Sequence, residues 1–294
     1  MTVCNYDGDY RFVDGSPTIV GKGVTSLTDP YELGVSIGLD GATYLDGFPS
    51  SSDTSGAAIS FWVNFNQDLA DGFTPNLEGM PFFVTSDGVT NSVAFKIYNS
   101  EAPAGAQNGP WVGSDNQNGS LTAPDVQEPF NFIGKGWVHI LASIESYPNA
   151  VSPDVNMRTM LYIDDTLIWQ TNDPAVIDVS AGVQWIGGTS SSDRMGIGEP
   201  TVSNAFPYCA MSEFWVIDQF IDWSKKSNRY KFHKYENGLY KAIDIGARGL
   251  KPGFGRPIAY HTGNPTGFLK NRGSLGGTLV VNGDALVTIE SSPF

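Results

Sequence analysis

The sequence is poor in charge: only 16% of its 294 residues are Asp, Glu, Lys or Arg. So low a density argues against a coiled coil, a helical bundle and a charge-rich disordered chain. No apolar run approaches the roughly 18 residues that a membrane-spanning helix needs. The opening residues, MTVCNYDGDYRF, lack a basic start followed by an apolar stretch, so no secretory leader is expected. The two cysteines, Cys4 and Cys209, fall in no CxxC or Cys/His spacing, which leaves neither a zinc site nor a redox motif. Two free thiols in a reducing cytosol are the expectation. Catalytic signatures are equally scarce. There is no GxxxxGK[ST] and no strand-GxGxxG-helix unit, the GxSxG at Gly34 to Gly38 lies inside a strand pattern and not at a strand-to-helix turn, and of the three histidines His139 sits inside an apolar strand pattern while His233 and His261 lie far along the chain.

What is abundant is glycine, proline and aromatic residues: 34 Gly, 18 Pro, 7 Trp, 12 Tyr and 17 Phe. This composition favours many short strands joined by tight turns. Ala58 to Phe65 alternates in the period of a half-buried strand, and Pro81 to Thr85 and Ser92 to Tyr98 repeat the signal. Leu33 to Leu45 reads as a strand with a Gly-rich bend, and Trp137 to Glu145 is apolar on both faces, as a central strand would be. Met157 to Gln170 splits at Asp164-Asp165 into a tight hairpin. Val183 to Gly187 and Met211 to Ile217 complete a set that predicts an all-β, two-sheet antiparallel sandwich over residues 33–224. Residues 1–32 read as an N-terminal arm, and 99–131 as one long loop carrying Trp111, a candidate ligand or partner contact.

Glycan hydrolysis needs two carboxyl groups about 5 to 9 Å apart. Glu213 and Asp218 are five residues apart on one strand and so point to opposite faces, which fails the requirement. Asp164 and Asp165 are explained as turn residues. Calcium at the oxygen-rich stretches 50–54 (SSSDT) and 190–194 (SSSDR) is the most reasonable metal proposal, but without a spaced ligand set solvated loop tips are the better reading and no cofactor is predicted.

Charge is unevenly spread. Residues 225–294 hold 11 Lys/Arg against 4 Asp/Glu, a net of +7, which leaves −21 on residues 1–224 from the overall −14. A basic, Gly/Pro-rich section on an acidic body suits docking on the same or a neighbouring copy, and the acidic body makes nucleic acid an unfavoured partner. Arg229, Phe232, Phe254, Tyr260 and Phe268 are the candidate docking anchors of this 225–294 extension; the competing reading makes the section part of the sandwich core, for example by supplying strand Thr278 to Asn282 (TLVVN) to a sheet edge.

The strand series LDGATYL, ISFWVNF, WVHI, LYIDDTLIW and MSEFWVID resembles the laminin G-like, concanavalin A-like jelly roll. The section after it carries Asn228, Arg229 and Phe232, then Gly246, Gly249, Pro252, Gly255 and Pro257, then Asn271, Gly273, Gly276 and Gly277. It resembles the stretch that follows such a domain in bacteriophage structural proteins. The resemblance implies a non-catalytic virion component of head, neck or tail, assembled in the host cytoplasm, a homo-oligomer with other virion proteins as partners. A lectin-like module for host surface glycan is the alternative.

Overall fold

The computed structural model describes residues 5–6, 9–10, 36–40, 44–47, 56–64, 80–86, 92–98, 109–114, 126–127, 130, 135–148, 155–171, 194–197, 208–263, 265–274, 279–282, 287–289 and 293–294. Among them β1 (Asn5–Tyr6) and β2 (Asp9–Tyr10) pair with each other inside the expected arm. There follow β3 (Ser36–Asp40), β4 (Tyr44–Gly47), β5 (Gly56–Asn64), β6 (Met80–Ser86), β7 (Ser92–Tyr98), β8 (Gly109–Ser114), β9 (Val126–Gln127), β10 (Trp137–Pro148), β11 (Val155–Ile163), β12 (Thr166–Thr171), β13 (Arg194–Ile197) and β14 (Tyr208–Ile217). The remainder is α1 (Lys226–Arg229), β15 (His233–Glu236), β16 (Leu239–Ala242), β17 (Ala259–His261), α2 (Pro265–Leu269), β18 (Val280–Asn282) and β19 (Val287–Ile289).

The strands form two main antiparallel sheets, as the composition predicts. A nine-stranded sheet runs β19-β3-β14-β5-β10-β11-β12-β9 with β17 added to β14, and a six-stranded sheet runs β18-β4-β13-β6-β7-β8. Strand β8 lies against β10, β11 and β12, which brings the two sheets together. The single strand expected over 33–45 is two, β3 and β4, one in each sheet. Strand β10 is central, between β5 and β11. The hairpin turn falls at Asp164-Asp165, with Ile163 paired to Thr166.

Register places two sets of side chains on opposite faces of the large sheet. Ile59, Phe61, Ile140, Ala142, Leu161 and Phe214 share one face, where Phe61 and Phe214 rings meet at 6.0 Å. Ala58, Leu141, Met160, Tyr162, Trp215 and Ile217 share the other, and they cluster with Ile221, Trp223, Phe232, Ile245 and Tyr260. The second face is therefore covered by the chain that follows β14.

Two expectations are corrected here. The section 225–294 is not an extension free to dock elsewhere: β17 and β19 join the large sheet, β18 joins β4 of the small one, and residues 221–260 seal the large sheet's outer face. Glycine and proline mask the strand signal of β17 and β19, because each is only three residues long. Likewise Trp111 lies on β8, opposite Lys96, and not on a long loop. Among the described residues strand β8 ends its sheet, a position where a proline such as Pro110 is tolerated. Val183 to Gly187, the 50–54 stretch, residues 190–193 and Cys4 lie outside the described residues.

Two glycines of the cover are fixed by geometry. Gly249 has φ +66, and a Cβ there would stand 2.7 Å from Trp215 Cδ1. A Cβ on Gly273 would stand 2.4 Å from the carbonyl oxygen of Ile258. Each lets one strand or turn press against the next.

Removing the cover exposes the Phe214–Val216 edge that β17 pairs, together with buried rings worth roughly 1.5–3 kcal/mol each. Net domain stability is only about 5–15 kcal/mol. A chain ending at Ser224 is accordingly expected to aggregate and to lose cooperative unfolding. Size-exclusion chromatography and a thermal melt check this; a monomeric product with a sharp melt would contradict the fold described.

Candidate functional site

The polar groups that interrupt the covered face are joined to one another. Ser60 on β5 and His139 on β10 are neighbours across the ladder, and both are buried. Ser60 Oγ is 2.8 Å from His139 Nε2, and His139 Nδ1 is 2.8 Å from His233 Nδ1 at the start of β15. His233 Nε2 in turn lies 3.5 Å from Asp165 Oδ1. The indole of Trp62 stacks on His139 at 4.5 Å and 10°.

Asp165, in the β11–β12 turn, is the hub. It accepts from Arg229 Nε at 2.7 Å and from Tyr230 Oη at 3.0 Å, and Lys226 Nζ stands 3.6 Å away. Arg229 is buried, lies over the Tyr162 ring at 4.5 Å, and also donates to the carbonyls of Trp223 and Ser224. Asp164 continues the ladder past the end of β11. Its N–H donates to the His139 carbonyl at 2.8 Å, and its Oδ1 accepts from His139 N–H at 2.9 Å. A left-handed φ of 54° permits this, and Asp tolerates that region better than most residues.

Proton positions follow from the partners. His233 Nε2 makes no hydrogen bond, but its nearness to the Asp165 carboxylate at 3.5 Å favours the proton on that nitrogen, which leaves Nδ1 to accept from His139 Nδ1–H. His139 Nε2 then accepts from the Ser60 hydroxyl. Both hydrogen bonds then run one way, from Ser60 to His233. Burial, and then the neighbouring His233, push His139 well below its usual pKa. Burial pushes His233 down to about 4, against the pull of Asp165. Burial acts to raise Asp165, but the hydrogen bonds from Arg229 and Tyr230 and the Arg229 charge outweigh it and hold the carboxyl low. At neutral pH the network is two neutral imidazoles and a carboxylate paired with Arg229 and Lys226.

A second polar joint sits where β14 changes neighbours. Its residues Tyr208–Met211 pair with β3, whereas Phe214–Val216 pair with β17. Between them the register against β5 shifts, and Glu213 takes φ 51°. The buried Glu213 carboxylate accepts from Tyr260 Oη at 2.5 Å and from the Thr262 hydroxyl. Asn271 completes the joint, its Oδ1 accepting from Tyr260 N–H at 3.0 Å and Gly273 N–H at 2.7 Å while its amide donates to the Ile258 carbonyl at 3.1 Å.

Serine, histidine and carboxylate in series have the order of a nucleophile, its base and an orienting group. Ser60 is only 2% exposed, however, so the series holds protons inside the fold and presents no hydroxyl at the surface. Glu213 and Asp218 do not pair: the first is buried at the bulge, the second exposed beyond the end of β14. Among the described residues no three His, Cys, Asp or Glu side chains converge as metal ligands.

The candidate anchors turn inward. Phe232, Tyr260 and Phe268 are almost wholly buried, Phe254 stacks on Phe232 at 6.1 Å, and Arg229 is spent on Asp165. The surface they need is the chain's own large sheet. Ser60 and Asp165 were not singled out by sequence. The available signals are a histidine in an otherwise apolar strand, and a second aspartate in a turn that needs one. No protein-family model matches the chain, and no curated protein matches it.

Two outcomes are expected. Asp165→Asn leaves the buried Arg229 charge without its counterion, a loss of about 3 kcal/mol in a urea titration. The exposed Lys234–Glu236 pair is the control, and Glu236→Gln should leave the midpoint unmoved. The second is a pH profile. Unfolded histidine takes up a proton near about 6.5, whereas folded His233 and His261 do so only at about 4 and His139 is also held well below its usual value, all through burial first. Asp164, raised by burial to about 6, opposes them because its folded form holds a proton that the unfolded form has lost. Unfolding thus takes up a net of about two protons near pH 5, and stability should rise by about 2.7 kcal/mol per pH unit there before levelling above about 6.5. Urea midpoints across this range test it; a flat profile would contradict the buried neutral pair.

Proposed function

We propose that the chain is a non-enzymatic structural subunit of a bacteriophage particle, a head-decoration, neck or tail component built on a jelly roll. The observation that carries this reading is where the phage-like stretch is spent. Arg229 clamps Asp165, Phe232 fills the cover, Gly249 admits Trp215, and Asn271 with Gly273 fixes the approach of β17. The stretch is a sealing element, and its polar chemistry is used to hold the chain to itself. A subunit that must survive assembly and exposure needs this kind of closure more than it needs an open cleft. The opposite charges of residues 1–224 and 225–294 support association with neighbours.

Mass spectrometry of purified particles from an infected host tests the reading. The chain is expected among the virion proteins, with a copy number in the hundreds for a shell component and a handful for a neck or tail piece. Its absence from particles overturns the proposal. Incubation with a polysaccharide panel is expected to release no reducing ends; release that Glu213→Gln or Asp218→Asn abolishes would make the chain an enzyme, and tight retention of one glycan would favour a lectin-like role.

A further inference from the structure

The hairpin of β15 and β16 is attached to the body mainly through its first residue. Residues 234–239 are exposed, Tyr240 and Lys241 are half-buried, and His233 and Ala242 are buried. Strand β16 lies against β10, and the His139–His233 bond crosses from sheet to hairpin at 2.8 Å. The Tyr240 ring packs on His233 at 5.0 Å and the Tyr235 ring on Tyr240 at 4.9 Å, so this face of the hairpin reaches the sheet through the imidazole. Ala242 adds a backbone tie, its N–H donating to the Pro293 carbonyl at 2.9 Å. The base is fixed separately: Phe232 is buried among Trp215, Trp223 and Phe254, and Ile243 N–H donates to the Phe232 carbonyl at 3.0 Å. A two-stranded hairpin without support is marginal in water.

That support accepts only a limited number of protons. A bond between two Nδ1 atoms holds one. A first added proton is taken in by turning the series round, His233 Nδ1–H donating to His139 and His139 Nε2–H to Ser60 Oγ. A second sets N–H against N–H at 2.8 Å. The groups around the pair sharpen the conflict. From α1, Lys226 and Arg229 bring positive charge, and Asp165, the carboxylate 3.5 Å from His233, is already shared with both. Asp164 is bonded to the His139 backbone and has Lys135 near it. Tyr230 Oη donates to Asp165, and Tyr162 on β11 and Tyr240 on β16, both raised by burial first, stay protonated. Strand β5 contributes Ser60 and Trp62, neither of them charged. His233 Nε2 makes no hydrogen bond while the hairpin is down, so lifting the hairpin gives that nitrogen water.

We propose that the β15–β16 hairpin is a flap, latched by the His139–His233 bond and released by acid while both sheets stay folded. The flap is independent of the virion reading. It pivots on the Phe232–Ile243 base, and lifting it opens β10 at His139 to solvent. The sign follows from burial. Burial first depresses both imidazoles in the closed state, His233 to about 4 and His139 well below its usual value, and each returns toward about 6.5 in water. Burial acts to raise Asp165, but Arg229 and Tyr230 hold it low, so it stays charged over this range. Opening takes up two protons at the imidazoles, less at most one that Asp164, raised by burial to about 6, gives up on wetting. The closed form is thus favoured above about pH 6.5 and loses about tenfold to a hundredfold per pH unit below it. Histidine charging at a packed joint is a recurrent basis for such switches.

Hydrogen exchange of the full-length chain between about pH 7.5 and 5, resolved by peptide and corrected for the intrinsic pH dependence of exchange, tests the proposal. Peptides covering 233–242 are expected to lose protection about tenfold to a hundredfold per pH unit below about 6.5, while peptides from β5, β10 and β11 keep theirs. His233→Gln has no proton to take up, and its amide carbonyl can accept from a charged His139, so its hairpin is expected to show the same protection across the range. His261→Gln changes a buried histidine of β17 that meets the Phe268 carbonyl, and its hairpin is expected to open as the native one does. Native hairpin peptides that stay protected to about pH 5, or that lose protection only together with β10, overturn the flap. A folded His233→Gln chain whose hairpin still opens with acid overturns it as well. The native profile decides alone should that variant not fold.

Discussion

The large sheet is apolar on both faces, and that constraint governs everything else in the chain. The small sheet lies along one face, through β8 against β10, β11 and β12. The other face carries Leu141, Trp215, Ile217 and Tyr162, which would be an exposed hydrophobic patch if nothing followed β14. Residues 221–260 supply the missing layer. Phe232 sits among Trp215 at 5.0 Å, Trp223 at 5.6 Å and Phe254 at 6.1 Å, so the layer contributes a small aromatic core of its own making.

Apolar rings alone would allow such a layer to settle in several positions, since hydrophobic burial has no direction. The polar groups remove that freedom. Ser143 Oγ donates to the Ile221 carbonyl at 2.8 Å, His139 reaches His233, and Asp165 takes Arg229, so three points along the sheet fix where the layer begins and how it runs. In a low dielectric each bond is strong when made and costly when broken. The one-way order of donors from Ser60 to His233 leaves no internal conflict, which is why two buried histidines can be tolerated beside an ion pair.

Most strands of the two sheets could be read from alternation: β5, β7, β10 and the β11–β12 hairpin fall within two or three residues of the expected spans. What escaped had physical causes. Strands β17 and β19 are three residues each, too short for period-2 alternation to register, whereas β18 falls within the TLVVN run that the sequence offers as a sheet-edge strand. The roles of Phe232, Tyr260 and Phe268 were misassigned because an aromatic in a Gly/Pro-rich stretch looks unpartnered until the sheet face it covers is known. Ser60 carries no local signature, and Asp165 reads only as a turn residue. Their meaning arises only when β5, β10, the β11–β12 turn and β15 are brought together.

Strand β14 shows how the sheets are closed. Its outer edge is shared, β3 taking Tyr208–Met211 and β17 taking Phe214–Val216, and the left-handed Glu213 marks the change. A bulge at this point bends the strand so that two partners can meet one edge without overlapping. Glu213 then binds the incoming strand through Tyr260 and Thr262, which turns a backbone irregularity into the attachment point for the second partner. On the far side of β3 the same economy recurs. Ser36 of β3 pairs with Ile289 of β19, and Tyr44 of β4 pairs with Asn282 of β18, so both sheets gain an outer strand from one stretch of chain. These pairings join the most distant parts of the described sequence, and loop closure must be met before they stabilise anything. The covering layer is what makes that closure favourable: by holding residues 221–260 on the sheet, it delivers the last strands to edges that would otherwise stay open.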